Sequence, residues 1–182
     1  MHYCDYTATL PPDNPHRRYH DHEYGYPIAE DDRLFERLIF EINQAGLSWT
    51  TILNKADNLR RAYDHFAIER VAAYGEADVA RLLADAGIIR NRRKIEATIH
   101  NARVICGLQA AHGSFRTWLD AQECPDKAAW VKLFKKTFNF TGGEITGEFL
   151  MSCGYLAGAH HRDCPVYGKI LAVRPRWLTS GG

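Results

Sequence analysis

The stretch LLADAGIIRNRRKIEATIHNAR, residues 82–103, predicts a short helix, a tight turn and a long helix in immediate succession. Gly87 follows the first apolar-periodic segment, where a glycine in the left-handed conformation ends many helices. Ile88 and Ile89 are apolar enough to bury the turn against the rest of the protein. The second helix opens with Asn91, and the pattern as a whole therefore predicts a helical hairpin.

Basic residues crowd the start of that second helix, where Arg90, Arg92, Arg93 and Lys94 occupy four of five positions. The helix dipole favours acidic residues at this end, so the placement has an electrostatic cost. It is better explained if the exposed amides and the cationic side chains both face phosphate. The motif resembles the helix-hairpin-helix of DNA repair proteins, although the usual Gly-hydrophobic-Gly turn is absent. A plain helical hairpin with a solvated charged face is the alternative.

Helical periodicity extends over most of the chain from residue 31 onward. The further predicted helices cover residues 33–45, 49–55, 57–66, 68–74, 76–86, 114–122, 126–137 and 143–154. No alternating run reaches strand length, and no repeat or linker is evident. The sequence therefore predicts an all-α fold in a single domain, residues 1–182. The first thirty residues and the segment after Gly158 are rich in His, Pro and aromatic residues and are expected to be irregular.

Composition limits the class of protein. The chain has 182 residues, of which 46% are hydrophobic and 25% charged, with a formal net charge of +1. It contains no apolar run long enough for a membrane span and no signal-peptide pattern at its start. Five cysteines, an odd number without a pairing pattern, favour a reducing compartment. We expect a soluble cytoplasmic protein with no membrane partner.

Four residues could form a zinc site, namely Cys4, His20, His160 and Cys164. Two cysteines and two histidines are a standard closed ligand set for Zn²⁺. The last two lie four positions apart, but the others are more than a hundred residues away, so such a site would be a clasp across the domain. The alternative is a pair of buried reduced thiols beside solvated histidines.

Four sequence blocks give the chain a family resemblance: YHDHEYG (19–25), QAGLSW (44–49), DAGIIRNRRKI (85–95) and CGYLAGAHHRDC (153–164). Their sequence and order are similar to those of the bacterial DNA-3-methyladenine glycosylase I family, over nearly the full length of the chain. The resemblance implies a helix-hairpin-helix DNA glycosylase fold. It also implies one structural Zn²⁺ that joins the N- and C-terminal segments through the four ligands named above.

The resemblance also implies roles for residues of a base pocket. Glu41 matches the family's pocket glutamate and is the expected catalytic residue, while Tyr19 and Trp49 match the aromatic walls. From the residues alone, the simpler interpretation of Glu41 is a side chain that extends to solvent or pairs with a nearby arginine, and that of Trp49 is a core residue. The chain has Tyr6 and Tyr24 where the family has Trp. The remaining base-pocket candidate is His16, which stands near the position of a pocket tyrosine.

The activity implied by the resemblance is hydrolysis of the N-glycosidic bond of 3-methyladenine in alkylated double-stranded DNA. The products are the free base and an abasic site. No lysine occupies a recognised Schiff-base position, so we expect a monofunctional glycosylase without lyase activity, acting as a monomer. The expected DNA contacts are Gly46, Leu47, Gly87, Ile88, Arg90, Asn91, Arg93 and Lys94.

The sequence alone leaves several alternatives open. Leu47 is either a wedge into the gap left by a flipped nucleotide or a core residue. The protein could instead be a zinc-containing helix-hairpin-helix DNA-binding or lesion-sensing protein with altered or lost excision. A purely structural helical protein would leave the arginine-rich hairpin and the aromatic pocket residues unexplained. The simplest expectation for Cys106, Cys124 and Cys153 is buried thiols.

Overall fold

The computed structural model describes residues 2–179, and every regular element in that range is helical. The helices are α1 (Tyr3–Ala8), α2 (Pro15–His22), α3 (Asp31–Gln44), α4 (Trp49–Ala62), a 3-10 turn (Asp64–Phe66), α5 (Ile68–Ala72), α6 (Glu76–Ala84), α7 (Arg92–His112), α8 (Phe115–Asp120), α9 (Lys127–Thr137), α10 (Gly143–Ser152), α11 (Tyr167–Ala172) and α12 (Arg176–Thr179). The all-α prediction is confirmed, since no strand occurs between residues 2 and 179. Within the same range, no helix combines the length and apolarity required to cross a membrane.

The chain divides into two compact units. The end unit is made from both termini, Met1–Ile28 and Gly147–Gly182, and the middle unit is Ala29–Thr146. The expectation of a single domain over residues 1–182 stays a prediction.

Helix α3 supplies much of the core of the middle unit. Leu34, Phe35, Leu38 and Ile39 are fully buried along it, at the spacing that places them on one broad face. Burying a side chain of this size contributes about 1.5–3 kcal/mol, so this face alone is a large part of the driving force. The first residue, Asp31, accepts hydrogen bonds at its carboxylate from the first backbone amides of α8, at 2.7 and 3.0 Å. Those bonds cap α8 and fix it against the start of α3.

The hairpin is present, but its turn is not closed as expected. Gly87 does not have the positive φ of a left-handed cap. Its requirement is steric, because a Cβ at this position would lie 2.9 Å from Asp85 Oδ1 and 3.2 Å from Asn58 Nδ2. The Gly87 amide donates to Asp85 Oδ1 at 2.7 Å, and its carbonyl accepts from Lys55 Nζ at 3.2 Å. Helix α4 therefore stabilises the hairpin turn through the hydrogen bond from Lys55.

Helix α4 differs from the prediction of two separate segments, 49–55 and 57–66. It runs unbroken from Trp49 to Ala62, because Asp57 is tolerated in its interior on the exposed surface and pairs with Arg60 at 3.1 Å. An exposed Asp inside a helix has only a small energetic cost, so Asp57 is not sufficient to end the helix.

The two segments predicted to be irregular also contain helices, and that expectation was wrong. Helix α2 begins at Pro15, with the Asn14 side chain accepting the His16 amide at 2.9 Å. An Asn cap followed by Pro at the first helical position is a strong start signal. The start of helix α1 carries a capping box. The His2 side chain accepts a hydrogen bond from a backbone amide of the first turn, and the Asp5 carboxylate accepts one from the His2 backbone amide. Beyond Gly158 the chain forms α11 and α12.

Candidate functional site

Four buried side chains of the end unit converge on one point. Cys4 lies on α1, His20 on α2, and His160 and Cys164 in the segment between α10 and α11. Each is at most 6% exposed, and their ligand atoms all lie within 4.8 Å of one another. The predicted cluster is therefore assembled, although 140 residues separate its two histidines along the chain.

The spacing of the ligand atoms fits a tetrahedral ion. The Nδ1 atom of His160 is 3.6 Å from the sulfur of Cys4 and 3.6 Å from that of Cys164. The two facing histidine nitrogens, His20 Nε2 and His160 Nδ1, are 3.2 Å apart. A tetrahedral zinc with bonds of about 2.3 Å to sulfur and 2.05 Å to nitrogen sets these edges at about 3.6 and 3.3 Å.

The outer nitrogen of each histidine is already bonded. His20 Nδ1 lies 2.7 Å from Asp21 Oδ1, and Arg17 Nε holds the other Asp21 oxygen at 2.7 Å. His160 Nε2 donates to the Tyr24 carbonyl at 2.7 Å. With these protons on the outer nitrogens, both inner nitrogens present lone pairs, and a thiol lies 3.6 Å from each of them, so four ligand atoms face one point. This is the orientation that a carboxylate or carbonyl partner imposes on metal-binding histidines.

Burial favours the neutral forms of Cys4, His20 and His160 in the absence of a cation. Burial, together with the nearby Cys164, raises the pKa of the Cys4 thiol to about 11. Burial also lowers the pKa of His20 and that of His160, despite the opposing effects of Asp21 and the Tyr24 carbonyl. Neutral imidazoles, and thiols that release their protons to solvent when the ion binds, suit a borderline-soft divalent cation.

The aromatic pocket candidates of the end unit form one cluster. Tyr19 and Tyr24 are buried, with ring centroids 5.6 Å apart. His16 is also buried, and burial lowers its pKa. Tyr6 is 38% exposed, with its ring centroid 5.3 Å from that of His16.

Three residues that contribute to this region were not predicted from the sequence. Tyr3 contacts the rings of Tyr19 and Tyr24 and places its hydroxyl 3.0 Å from His16 Nδ1. Glu148 accepts a hydrogen bond from the Tyr24 hydroxyl at 3.3 Å. Asp21 orients His20, and its position directly after a candidate ligand was the one available signal.

The middle unit carries the other candidates. Glu41 lies on α3 and is only 5% exposed, while Trp49 opens α4 and is half-buried. Between them the chain turns at Gly46, whose φ of +78° favours glycine. Leu47 follows at the tip and is 40% exposed, so it is not a core residue.

The cations of the hairpin fall into two groups. Arg90, Arg92 and Arg93 are exposed at the start of α7. Asn91, between them, is also exposed and caps the helix by accepting the Lys94 amide at its side chain at 3.2 Å. Lys94 instead turns inward and is 5% exposed. Its ammonium donates to the carbonyl oxygens of Asn43 and Ala45 at 2.8 and 2.6 Å, and burial lowers its pKa. It closes the end of α3 rather than presenting its charge to solvent.

The remaining cysteines differ in burial. Cys153 is 1% exposed, as expected, and its thiol donates to the Phe149 carbonyl at 2.9 Å. Cys106 and Cys124 are only partly buried, which corrects the expectation of three buried thiols.

Comparison with known proteins gives a consistent result. Residues 10–129 match the family model described as methyladenine glycosylase. DNA-3-methyladenine glycosylase 1 of Escherichia coli K12 is 35% identical over 168 residues, which cover 82% of this chain and 89% of that protein.

Solved structures agree. The 3-methyladenine DNA glycosylase I of Staphylococcus aureus, solved to explain 3-methyladenine recognition, is 30% identical, with a TM-score of 0.77 over 86% of this chain and 93% of its own. A tyrosine-to-phenylalanine variant of a 3-methyladenine DNA glycosylase I, in complex with 3-methyladenine, is 29% identical, with a TM-score of 0.79 over 91% and 97%. Matches of this extent in both sequence and fold show that the chain belongs to the methyladenine glycosylase family.

Proposed function

We propose that the protein is a monofunctional base-excision repair glycosylase, which hydrolyses the N-glycosidic bond of 3-methyladenine in double-stranded DNA. The observation that carries the proposal is the carboxylate of Glu41, which is 5% exposed on α3, three residues before the start of the QAGLSW segment. A buried carboxylate is costly to retain, and such groups are concentrated at sites that recognise charge. Family membership supplies the substrate class.

The chemistry requires little acid catalysis. A target base must first be extruded from the duplex, and alkylation lowers that cost by weakening stacking and pairing. 3-Methyladenine in DNA is cationic, so the base departs with the electron pair of the glycosidic bond as a neutral molecule. The sugar then resembles an oxocarbenium ion, which the negative charge of Glu41 stabilises. Water adds to the sugar carbon and loses a proton, which leaves an abasic site and an intact strand.

The aromatic residues supply recognition of the electron-poor ring. Tyr19, Tyr24 and Trp49 are proposed to stack on the base and to attract its charge through cation–π interaction, with Tyr6 at the rim. His16 is compatible with a cationic ligand because burial lowers its pKa, so the imidazole is neutral near pH 7. A protonated histidine here would repel the substrate.

The hairpin and the QAGLSW turn are the proposed contacts to DNA. Exposed Arg90 and Arg93 and the capped start of α7 at Asn91 offer cations and amides to phosphate. The backbone at Gly87 and Ile88 forms the turn of this helix-hairpin-helix. Exposed Leu47, following Gly46, is the proposed wedge.

A structural zinc completes the proposal. Cys4, His20, His160 and Cys164 would hold it as a closed set that leaves no position for substrate. The ion would supply cross-linking of the two chain segments and would fix His20, the neighbour of Tyr19 in sequence. Five unpaired thiols suit a reducing compartment, so we propose that the protein acts in the cytoplasm, as a monomer.

The proposal is tested by base release. The protein with its metal content measured is incubated with duplex DNA containing 3-methyladenine, and the free base is quantified by chromatography. Glu41→Gln should lower the excision rate by on the order of 10²-fold while the melting temperature stays near that of the parent. Glu144→Gln, which alters a side chain that is 93% exposed, is the matched control and should excise at the parent rate.

Three outcomes would contradict the proposal or a part of it. Binding of methylated duplex without release of base would favour the lesion-sensing alternative. Full activity in the Glu41→Gln variant would remove the carboxylate from the mechanism. Strand breaks formed before alkali treatment would contradict the monofunctional assignment.

A further inference from the structure

A second, incomplete group of metal-ligand atoms adjoins the buried cluster and shares Cys4 with it. His2, Cys4 and His161 each offer one ligand atom, and these atoms lie within 4.8 Å of one another. The group differs from the buried cluster in its access to solvent. His2 is exposed and the His161 side chain is 34% exposed, whereas Cys4 is 4% exposed.

His161 is oriented as a metal ligand would be. Its Nε2 lies 3.1 Å from Asp5 Oδ1, and this contact lowers the pKa of the Asp5 carboxyl. Its other nitrogen, Nδ1, is buried and has no hydrogen-bond partner among residues 2–179. A carboxylate on one nitrogen and an unused lone pair on the other is the arrangement that His20 shows with Asp21.

The same group is too poor in ligands to retain an ion. His2 Nδ1 accepts the Cys4 amide at 3.2 Å as part of the α1 cap, so its lone pair is already engaged. The Asp5 carboxylate is divided between His161 and the backbone amide of His2. What remains is one imidazole and one thiolate that also belongs to the buried cluster. A retained structural zinc takes four protein ligands, so this group suits brief occupancy.

The buried cluster, in turn, lacks a ligand that solvent reaches freely. All four of its side chains are at most 6% exposed, and a hydrated ion must exchange its waters one at a time for protein atoms. A groove of about 350 Å³ opens beside it, and its lining includes both His160 and His161. The groove brings solvent to the His161 imidazole, whose side chain is 34% exposed, next to a ligand of the closed cluster. Its Nδ1 is buried in this rotamer, but exposed side chains change rotamer within nanoseconds, so the ring can turn this nitrogen towards an arriving ion.

We propose that His161, held by Asp5, is an entry ligand that takes a zinc-class divalent cation from solvent and passes it to the buried cluster through the shared thiolate of Cys4. The inference rests on the metal clasp proposed above. The ion first binds the free His161 nitrogen and the Cys4 sulfur while keeping its other waters. His160, His20 and Cys164 then displace those waters and His161. The thiol protons pass to solvent, and no atom changes oxidation state.

The test measures the rate of metal exchange on the intact protein. The zinc content of the purified protein is determined first, and one ion per chain is expected. Zinc release to an excess of a chromogenic chelator and zinc uptake by the stripped protein are then followed for the parent and for His161→Ala. The control is His100→Ala, an exposed histidine on α7 in the middle unit. Thermal melts of all three zinc-loaded proteins check folding.

An entry ligand lowers the barrier in both directions without changing the end states. His161→Ala should therefore slow release and uptake by the same factor, about tenfold, which corresponds to about 1.4 kcal/mol in the barrier. The dissociation constant and the stoichiometry should stay those of the parent. Asp5→Asn, which keeps a weaker partner for His161, should slow both rates by a smaller factor.

The other outcomes contradict the proposal in distinguishable ways. Rates equal to those of the parent would exclude His161 from the path. Faster release with about 10–100-fold weaker affinity would make His161 only a supporting group of the closed cluster. Two ions per parent chain and one in His161→Ala would show a second permanent site. Protein that neither contains nor takes up zinc would overturn the clasp itself, and the entry role with it.

Discussion

Replacing Lys94 by methionine separates two roles that its sequence position leaves open. The ammonium donates to the carbonyls of Asn43 and Ala45 at 2.8 and 2.6 Å, and no other cation is recorded on either oxygen between residues 2 and 179. Methionine keeps much of the volume and removes both donors. The Asn43 carbonyl belongs to a residue that is 1% exposed, so leaving it unpaired should cost about 1–3 kcal/mol.

The net effect is smaller than the sum of two charge-assisted bonds. Burial lowers the pKa of Lys94, which shows that placing its charge here has a cost that methionine avoids. Water can reach the partly exposed Ala45 carbonyl and replace part of the second bond. We expect a loss of about 2 kcal/mol in the free energy of unfolding, or roughly 4–8 °C in melting temperature for a chain of this size.

The assay pairs stability with DNA binding. Arg93→Met changes the neighbouring, exposed cation and should alter stability by less than about 0.5 kcal/mol. The same Arg93→Met substitution should weaken DNA binding and reduce the slope of log affinity against log salt concentration by about 1. Lys94→Met should leave that slope unchanged. A Lys94→Met protein that melts with the parent and loses salt dependence would refute the assignment and restore Lys94 as a phosphate contact.

Three further predictions follow from particular contacts. Asp21→Asn weakens the partner of His20 Nδ1 and should lower zinc affinity by about 10–100-fold in a chelator competition, whereas exposed Asp163→Asn should not. Burial lowers the pKa of each of the three buried histidines of the end unit, so the unfolded chain binds more protons below their ordinary value of 6.5. Denaturant titration of the metal-free protein should therefore show stability falling as pH drops below about 6.5 and nearly constant between about pH 6.5 and 8. Above that range the raised pKa of Cys4 should lower the stability again, and a flat profile below about 6.5 would contradict neutral burial. Gly87→Ala should destabilise by about 1–2 kcal/mol through the close approach at the hairpin turn, while Gly107→Ala, with open space around it on α7, should stabilise by about 0.5–1 kcal/mol.

Much of the fold follows from apolar spacing. Helix α3 was predicted within two residues at its start and one at its end, because apolar residues such as Leu34, Leu38 and Ile42 recur along it with the helical period. Helix α2 was missed because its exposed polar surface and three histidines hide the period. The Asn-Pro start signal at residues 14 and 15 is its one clear sequence marker.

The candidate site was predictable only in part. The four ligand types could be named, since zinc chemistry restricts them to a few residues. The carbonyl of Tyr24 that orients His160 could not, because a main-chain group carries no residue-specific signal. Lys94 shows the same limit, because which cation of a helix's first turn folds inward depends on where the end of another helix lies.

The construction of the end unit from both ends of the chain has a consequence during synthesis. The middle unit is continuous in sequence, so its residues are all available once position 146 has emerged from the ribosome. Cys4 and His20 emerge first but wait for His160 and Cys164, a delay on the order of ten seconds at ordinary elongation rates. During that interval the N-terminal thiol is exposed to oxidants and to competing metals, and the closed cluster can form only after translation has passed residue 164. The end unit, which includes residues synthesised before the middle unit, can thus complete its folding only after the middle unit has emerged.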